Sequence, residues 1–493
     1  MRVSYPSLPL TLFNTLGARA EPFAAQNPPK VTLYTCGPTV YDYPHIGNFR
    51  AYVFADILKR VLRYNSFAVQ HTMNLTDFGH LTDDADAGED KMMLALKRAG
   101  KDITLANMRT IAEQYGAAFI ADMEAIGNLP PTAYTKASDY IPEQIALIRA
   151  LVEKGYTYQT SDGVYFDISR FPGYGALGNI DLTAQKEGAR VEANPEKKHP
   201  ADFALWKFGS LGWESVWGKG FPGWHIECAA MAFATLGKQI DIHTGGRDLI
   251  ATHHNGEIAQ AEAATGKSPY VRYWLHNEFI TINGTKISKS LGNGITLRGL
   301  RDRGFSPRAY RYWLLTSHYR SPANFTFEAL SGAKQAFFRL KRFVVEEAPP
   351  PSASLASKSL AKEEADGGGA VIEVYRSRFH EAINDDLNTP RALALAWELV
   401  KDPTPAPRDK AATLAHFDEV FGLGLSGDSD TAAESLGVIE ISNLPEEVQI
   451  LLAERERARK QKKWDEADAL REALNLKGFL VEDTPKAVRV TKA

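Results

Sequence analysis

Residues 31–58 read VTLYTCGPTVYDYPHIGNFRAYVFADIL, which combines a strand, a turn and a helix in one stretch. The apolar run at 31–35 predicts a buried strand, and the apolar spacing at 51–58 predicts a helix. The turn between them contains Pro44, His45 and Gly47. In a βα unit, such a turn directs free backbone N–H groups and the positive end of the helix dipole at a ligand, which suits a phosphate chain.

A second short motif, KISKS, occupies residues 286–290. It follows a strand-like segment at 279–282 and an Asn283-Gly284 pair, which is typical of a tight turn. Its two lysines lie three residues apart and offer two ammonium groups to an anion such as pyrophosphate. Either motif alone is weak, because such turns and lysine-rich loops are common without a ligand. Their order and spacing make the pair informative.

The two motifs resemble the HIGH and KMSKS signatures of class I aminoacyl-tRNA synthetases, with HIGN at 45–48 and KISKS at 286–290. The chain departs from these signatures at two positions, since Asn48 replaces the second histidine and Ile287 replaces methionine. The flanking sequence is similar to the cysteinyl-tRNA synthetase family from about residue 10 to about residue 489. The similar strings are YTCGPTVYD at 34–42, FPGWHIEC at 221–228, His253-His254 with Glu257, and YWLHN at 273–277.

The resemblance implies an enzyme that activates cysteine with ATP and transfers it to the 3′ end of tRNA(Cys), with Mg²⁺ bound to ATP. The residues expected to be catalytic are His45, Asn48, Lys286 and Lys289. The residues expected to bind ATP are His45, Gly47, Asn48, Gly245, Gly246, Asp248, Lys286 and Lys289. The residues expected to bind L-cysteine are Gly37, Thr76 and Trp224.

The chain has two cysteines, Cys36 and Cys228. His253 and Glu257 are four residues apart in a segment of strong helix formers, which predicts that they share one face of a helix. Two thiolates, an imidazole and a carboxylate are a plausible tetrahedral zinc shell, although lone cysteines are more often small buried apolar residues. The resemblance implies that these four residues bind one zinc ion. Such an ion would bind the thiolate of cysteine far better than the hydroxyl of serine, and we expect selection without editing.

Composition limits the classes of protein to which the chain can belong. Its 493 residues are 44% hydrophobic, enough to bury the cores of several domains. The two cysteines do not suggest a disulfide framework, no apolar run is long enough to span a bilayer, and the first residues lack a secretory pattern. We therefore expect a cytoplasmic protein without membrane contact. Separately from composition, we expect a monomer. A net charge of −3 means that nucleic-acid binding has to rely on local basic patches.

Alternating strands and helices predict an α/β fold in which a Rossmann-like, doubly wound parallel sheet forms the catalytic domain. A β-rich segment interrupts it, and the resemblance implies a connective insertion on the acceptor-end side of tRNA, followed by a helical bundle and a small C-terminal anticodon-binding domain. The expected boundaries are 1–125 and 221–285 for the two halves of the catalytic domain, 126–220 for the insertion, 286–347 for the KISKS loop and stem-contact region, 348–369 for a linker, 370–425 for the bundle and 437–493 for the last domain. The acidic stretch at 78–90 departs from the common family pattern, and we assign it no role.

The last residues of the chain help to distinguish a tRNA synthetase from two alternative functions. A basic helix predicted at 448–460 carries Arg455, Arg457 and Arg459 and precedes Trp464, a combination that suits unpaired nucleotides but also an ordinary solvated helix face. A cysteine:glucosaminyl-inositol ligase of mycothiol synthesis shares the catalytic head and lacks an anticodon-binding end. A non-catalytic zinc protein that binds tRNA is the other alternative, and the intact His45 and KISKS motif argue against it.

Overall fold

The computed structural model describes residues 9–78, 91–181, 194–287, 292–347, 369–427, 439, 441–483 and 488–492. The strands are β1 (Thr11–Asn14), β2 (Arg19–Pro22), β3 (Lys30–Thr35), β4 (Ala68–Leu75), β5 (Ala133–Lys136), β6 (Thr157–Thr160), β7 (Gly163–Phe166), β8 (Phe203–Trp213), β9 (Gly220–Pro222), β10 (Ile240–Gly246), β11 (Val271–Asn277), β12 (Ile280–Ile282), β13 (Thr285–Lys286), β14 (Ala323–Phe325), β15 (Phe479–Asp483) and β16 (Val488–Lys492). The helices are α1 (Ile46–Tyr64), α2 (Lys91–Arg98), α3 (Leu105–Ala125), α4 (Ile141–Glu153), α5 (Trp224–Leu236), α6 (Asn255–Thr265), α7 (Leu297–Arg301), α8 (Pro307–Leu315), α9 (Phe327–Glu347), α10 (Glu373–Asn384), α11 (Thr389–Lys401), α12 (Pro407–Phe421), α13 (Glu446–Lys460) and α14 (Trp464–Leu476). The expected linker, apart from Gly369, and the acidic stretch from residue 79 to residue 90 lie outside the described residues.

Five parallel strands form the central sheet, in the order β11-β10-β3-β4-β5. The chain leaves β3 toward β4 and β5 on one side and returns to β10 and β11 on the other, so the strand order reverses between β3 and β10. A ligand site is expected just beyond the carboxyl ends of the strands at such a reversal. The backbone N–H of Cys36, which follows β3, donates to the carbonyl of Thr244 in β10 at 3.1 Å and joins the two strands there. The predicted α/β fold with a doubly wound sheet is confirmed.

The helix predicted after the PHIGN turn is α1, which begins at Ile46. Its buried residues Phe49, Val53 and Ile57 recur every four positions, as expected for a helix that covers a sheet. The hydroxyl of Tyr310 in α8 donates to the carbonyl of Ile46 at 2.8 Å. The first turn of α1 is thus held by a second helix as well as by the sheet.

An antiparallel sheet of four strands, β6-β7-β8-β9, lies in the sequence between β5 and β10 and interrupts the parallel sheet. Its strands share an apolar core with α4 and α5, to which Phe166, Phe203 and Trp206 contribute. The rings of Phe166 and Phe203 stack with their centroids 5.1 Å apart. The β-rich insertion expected from the sequence is therefore present, while its contact with tRNA and the domain boundaries stay predictions.

The chain divides into two units. The first comprises Met1–Lys334, Glu373–Asp402 and Phe417–Leu423, and the second comprises Gln335–Ile372, Pro403–His416 and Gly424–Ala493. Within the second unit, α13 and α14 pack with β15 and β16 around an apolar core. The core residues are Leu444, Val448, Leu452, Leu474, Phe479 and Val490.

The basic helix predicted near the end of the chain is α13, and part of its charge serves the fold. Arg455 is 3% exposed, and its guanidinium donates to both carboxylate oxygens of Asp483 at 2.9 and 2.6 Å. Arg459 contacts the same carboxylate. Because these ion pairs join α13 to β15, they stabilise the second unit, and buried Arg455 is not available to a nucleic acid. Arg457 and Lys460 are exposed.

A buried ion pair joins α1 to α8 in the first unit. Asp56 pairs with Arg311, which is fully buried, and accepts a hydrogen bond from Nε of Arg60 at 2.7 Å. The backbone N–H of Leu129 donates to its other oxygen at 2.7 Å. Burial raises the pKa of Asp56, but the two guanidinium groups and this hydrogen bond outweigh burial and hold the pKa below its usual value.

Asp56→Asn is expected to lower the free energy of unfolding by about 3–5 kcal/mol near neutral pH, because the buried guanidinium of Arg311 would lose its carboxylate partner. A carboxylate whose pKa is depressed by folding stabilises the fold above its unfolded pKa of about 4, and this contribution is lost as the pH falls through the folded value. The difference between wild type and variant should therefore shrink below about pH 4. Chemical denaturation as a function of pH measures both effects.

Glu398→Gln is the control for this substitution. It removes the ion pair between Glu398 and Arg378, which is exposed and screened by solvent, so its loss should cost far less stability than the loss of the Asp56 carboxylate. Equal losses of stability in the two variants would contradict the role assigned to Asp56.

Candidate active site and metal centre

The turn between β3 and α1 places His45 as the N-terminal cap of the helix. Its backbone is extended (φ −86°, ψ 166°), and its backbone N–H donates to Oδ1 of Asn48 at 3.0 Å. The backbone N–H of Asn48 in turn donates to the carbonyl of His45 at 2.9 Å. Asn48 therefore stabilises the first turn of α1 through its side chain, which accounts for asparagine at this position on local grounds. The catalytic role expected for Asn48 stays a prediction.

The two signature motifs meet at Gly47. A Cβ atom at this position would lie 2.9 Å from Cδ1 of Ile287 and 3.0 Å from the imidazole of His45, closer than side chains pack. Glycine therefore allows the KISKS motif to approach the first turn of α1. The hairpin formed by β12 and β13 turns at Asn283 and Gly284, whose φ angles of 49° and 77° are those that an Asn-Gly turn predicts.

Lys286 is the last residue of β13, and it is exposed. Its carbonyl accepts a hydrogen bond from Nδ2 of Asn293 at 3.1 Å, which fixes the backbone next to Ile287. Lys289 lies outside the described residues. The contact of both lysines with phosphate stays a prediction.

Four buried donors lie together beyond the carboxyl ends of the parallel strands. Cys36 follows β3, Cys228 lies on α5, His253 lies in a π-helical turn at Ile250–His254, and Glu257 lies in the first turn of α6. Their ligand atoms are all within 4.8 Å of one another. Oε1 of Glu257 lies 3.0 Å from Nε2 of His253 and 3.8 Å from Sγ of Cys36. These separations fit four ligands around one zinc ion at about 2.0–2.3 Å.

The charges of these groups also fit a bound cation. Burial raises the pKa of Glu257, but His243 and His253 outweigh it and lower this pKa to about 2. Burial lowers the pKa of His253, but Cys228 and Glu257 outweigh it and raise this pKa to about 10. The hydrogen bond from Cys36 lowers the pKa of Cys228 to about 6. A proton on His253 thus sits among buried anions, and a divalent cation would replace it as the counter-charge.

A second set of donors overlaps the first, and the sequence did not predict it. His243 and His254 join Cys36 and Glu257 in a group whose ligand atoms are again within 4.8 Å of one another. Nε2 of His243 is 3.1 Å from Oε2 of Glu257, and Nε2 of His254 is 3.5 Å from Sγ of Cys36. Nδ1 of His254 lies 2.7 Å from Nε2 of His276. Buried histidines therefore surround the donors expected to bind zinc.

The residues expected to bind cysteine lie beside the same donors. Gly37 follows Cys36, and a Cβ atom there would lie 1.8 Å from the carbonyl oxygen of Asn74, so a larger residue does not fit. The hydroxyl of Thr76 donates to Oε2 of buried Glu227 at 3.1 Å. The ring centroid of Trp224, the first residue of α5, is 4.5 Å from that of the His253 ring. The contact of Gly37, Thr76 and Trp224 with cysteine stays a prediction.

The loop expected to bind ATP follows β10. Gly245 and Gly246 end this strand, and Asp248 lies in the 3₁₀ turn after it. A Cβ atom on Gly245 would lie 2.7 Å from Cε1 of His254, and one on Gly246 would lie 2.3 Å from Oδ1 of Asp248. Gly245 is thus required by its packing against buried His254, whereas a side chain at Gly246 would only displace the exposed carboxylate of Asp248. Asp248 is exposed, and its carboxylate can accept hydrogen bonds from ribose hydroxyls.

Comparison with known proteins shows the family of the chain. A family model described as "tRNA synthetases class I (C) catalytic domain" matches residues 22–335. The chain is 44% identical over 490 residues to "Cysteine--tRNA ligase 1" of Burkholderia lata, a match that covers 98% of the chain and 97% of that protein. The chain belongs to the cysteine–tRNA ligase family. Cysteine–tRNA ligases are aminoacyl-tRNA synthetases, and the resemblance found in the sequence is confirmed.

Other cysteine–tRNA ligases match over similar lengths. That of Treponema denticola is 42% identical, covering 96% of this chain and 98% of the relative, and that of Chlamydia muridarum is 40% identical, covering 98% and 99%. Models described as "DALR domain" and "Cysteinyl-tRNA ligase anticodon binding domain" match residues 378–403 and 442–490. These matches agree with a cysteine–tRNA ligase whose catalytic domain is followed by helices and a terminal anticodon-binding domain.

The fold is also found in solved structures. Methionyl-tRNA synthetase of Mycobacterium tuberculosis, bound by methionyl-adenylate, has a TM-score of 0.52 and 14% identity over 83% of this chain and 92% of that chain. At this identity the likeness shows the fold alone.

None of the described helices combines the length and the apolar sequence that crossing a bilayer requires.

Proposed function

We propose that the chain activates L-cysteine with ATP and transfers it to tRNA(Cys). In the first step a carboxylate oxygen of cysteine attacks the α-phosphorus of ATP, and cysteinyl-adenylate and pyrophosphate form. In the second step the 3′-terminal hydroxyl of tRNA attacks the acyl carbon, and AMP leaves. The observation that carries the proposal is the buried cluster of Cys36, Cys228, His253 and Glu257 at the strand reversal, because it offers a thiol-selective site in a family of cysteine ligases.

The residues of the two signature motifs have separate tasks in this scheme. His45 donates to the phosphates at the start of α1, where backbone N–H groups and the helix dipole also favour negative charge. Lys286 and Lys289 bind the departing pyrophosphate, and Asp248 accepts hydrogen bonds from the ribose. Mg²⁺ enters with ATP as part of the substrate. Catalysis then consists of positioning and charge stabilisation.

The four buried donors are proposed to hold one zinc ion. When bound, zinc would supply a borderline-soft Lewis acid that accepts the thiolate of cysteine in preference to the hydroxyl of serine. The chain keeps these donors away from water, and His243 fixes the second oxygen of Glu257. An apolar pocket distinguishes such similar side chains by only about 10- to 200-fold, so a polar handle is needed for selection without editing.

The terminal domain supports tRNA as the partner. Residues 442–490 match a domain described as anticodon-binding, which does not favour the cysteine:glucosaminyl-inositol ligase, whose acceptor has no anticodon. All residues used in the scheme belong to one chain, and we propose a monomer as the working form. We propose the cytoplasm as its location, because charged tRNA is consumed there.

Attachment of labelled cysteine to total tRNA by the purified chain tests the proposal. With ATP and Mg²⁺ we expect acid-precipitable label on tRNA that alkali releases and that excess serine does not reduce. Consumption of ATP and cysteine with label on glucosaminyl-inositol instead of tRNA would favour the sugar-amine ligase. Binding of tRNA without any turnover of ATP would favour a non-catalytic zinc protein.

Trp464 is expected to contribute to tRNA binding. It begins α14 directly after Lys462 and Lys463, and its side chain is 58% exposed. An exposed indole beside lysines suits stacking on an unpaired base while the ammonium groups meet phosphates. Trp464→Ala should raise the Kd for tRNA by about 5- to 150-fold, since one stacking contact contributes about 1–3 kcal/mol. Filter binding measures the change.

Leu476→Ala is the matched control on the same helix. Leu476 is an apolar side chain that is 86% exposed and has no ring to stack, so its truncation should leave the Kd for tRNA within about twofold of wild type. Trp464→Phe should retain most of the affinity. Formation of cysteinyl-adenylate without tRNA should be unchanged in all three variants. A wild-type Kd in Trp464→Ala would exclude the stacking role.

A further inference from the structure

Arg50 lies near the start of α1 and is 4% exposed. Its guanidinium donates to four backbone carbonyls. Nη1 donates to Phe279 at 3.3 Å, and Nη2 donates to His318 at 3.1 Å, to Tyr319 at 3.3 Å and to Ser321. The arginine is therefore bonded to backbone from two segments that are far from α1 in the sequence.

A buried arginine is costly unless its donors are satisfied. The acceptors of Arg50 come from Phe279, directly before β12, and from residues 318–321, directly before β14. These two strands pair in parallel in the sheet of order β13-β12-β14, which carries Lys286. The neighbouring carboxylate of Glu278 is paired with Arg247. Arg50 thus clamps the starts of both strands to α1.

These contacts connect the two halves of the proposed phosphate site. His45 caps the beginning of α1, and β12 leads through a two-residue turn into β13 and Lys286. Because the hairpin is short, a displacement of Phe279 is transmitted to the lysine at its other end. We propose that Arg50 is a positioning residue that holds the hairpin bearing Lys286 at a fixed distance from His45. This inference rests on the proposed function of His45 and the KISKS lysines toward ATP.

The loop that Arg50 holds is also anchored by Asp386. The hydroxyl of Tyr319 donates to Oδ1 of Asp386 at 2.7 Å, and Nε of Arg320 donates to Oδ2 at 2.7 Å. Asp386 lies between α10 and α11 with a left-handed backbone (φ 50°) and accepts a third hydrogen bond from the backbone N–H of Phe13 at 2.8 Å. The loop is therefore a fixed support, and Arg50 joins the start of α1 to it.

The test measures formation of cysteinyl-adenylate in a single turnover by the full chain. Arg50→Met should lower the rate at saturating ATP by about 10- to 100-fold, the effect of misplacing reacting groups by about 1 Å. Arg50→Lys keeps the charge but cannot reach the acceptors of both segments, and should lower the rate by about 3- to 30-fold. In a chain whose Lys286 and Lys289 are already alanine, either change should lower the rate by less than about twofold, because the groups that Arg50 positions are absent.

Lys59→Met is the matched control. Lys59 lies on the same helix, is 6% exposed, and donates to the carbonyl of Pro130 at 2.6 Å. Its replacement removes a buried cation without touching the KISKS sheet, so its effect on the rate should be the same with and without the two lysines.

Each outcome decides one point. Arg50 effects that are equally large in the lysine-free chain overturn the inference and leave the proposed function standing. A wild-type rate in the lysine-free chain refutes the proposed phosphate role of the lysines, and the inference with it. If Arg50→Met does not fold, Arg50→Lys provides the same comparison.

Discussion

Cys228→Ser is expected to reduce bound zinc from one ion per chain to less than about 0.1 and to lower kcat/KM for cysteine activation by about 10³-fold or more. The hydroxyl of serine stays protonated at neutral pH and is a poor ligand for a borderline-soft metal. Serine is nearly isosteric with cysteine, so the fold around this buried position should persist. Elemental analysis after dialysis measures the metal, and isotope exchange between ATP and pyrophosphate measures activation.

His254→Gln is the control that separates the two overlapping donor sets. The sets share two donors, but one adds Cys228 and His253 whereas the other adds His243 and His254. His254→Gln should retain more than about 0.8 zinc per chain, because it removes a neighbour of Cys36 and not a ligand. Loss of zinc in His254→Gln together with retention in Cys228→Ser would assign the metal to the other set. Full zinc content in Cys228→Ser would refute the proposed ligands.

His45→Ala is expected to lower the rate of cysteinyl-adenylate formation by about 10²- to 10³-fold, the usual cost of removing one donor that stabilises charge in a transition state. The KM for cysteine should change little, because the residues proposed to hold cysteine lie beside the proposed zinc ligands and not beside His45. Rapid-quench measurement of adenylate at saturating ATP gives the rate, and the KM follows from its dependence on cysteine.

His45→Asn separates the contribution of the imidazole to catalysis from the contribution of residue 45 to capping α1. Asparagine is a favourable N-cap, so this variant should be more stable than His45→Ala by about 0.5–2 kcal/mol. Both variants should nevertheless lose the same activity, because neither has an imidazole. If His45→Asn kept more than about a third of the wild-type rate, capping of α1 would be the main contribution of His45.

The parts of the site that the sequence predicts are those set by neighbours in the chain. The strand at 31–35, the PHIGN turn and α1 are contiguous, and the Asn283-Gly284 turn has the positive φ angles that its residue types favour. The meeting of Cys36 and Cys228 does not follow from spacing, since 192 positions separate them. It was expected only from the family resemblance. In the structure they meet because β3 ends at the strand reversal that α5 covers.

The buried histidines around the donors were not predicted, because long-range strand pairing brings them together. Strands β10 and β11 are adjacent in parallel register with Gly245 opposite His276, which places His243 and His276 on the same face. A signal was present, since four of the twelve histidines of the chain lie between residues 243 and 276. Arg455 is a case in which a local pattern misleads. The basic residues around it indicate an exposed cation, but in the structure Arg455 is buried in an ion pair with Asp483, which lies 28 residues further along the chain.

The π-helical turn at Ile250–His254 makes the number of residues critical in this segment. It has about one residue more per turn than an α-helix and continues directly into α6. Loss of a single residue before His253 would leave both flanks helical but rotate His253 and Glu257 together by about 100° away from the cysteines. Replacement of a side chain at 250–252 would keep their direction. The residues proposed to bind metal would therefore constrain insertions and deletions here more strongly than they constrain the identity of the intervening residues.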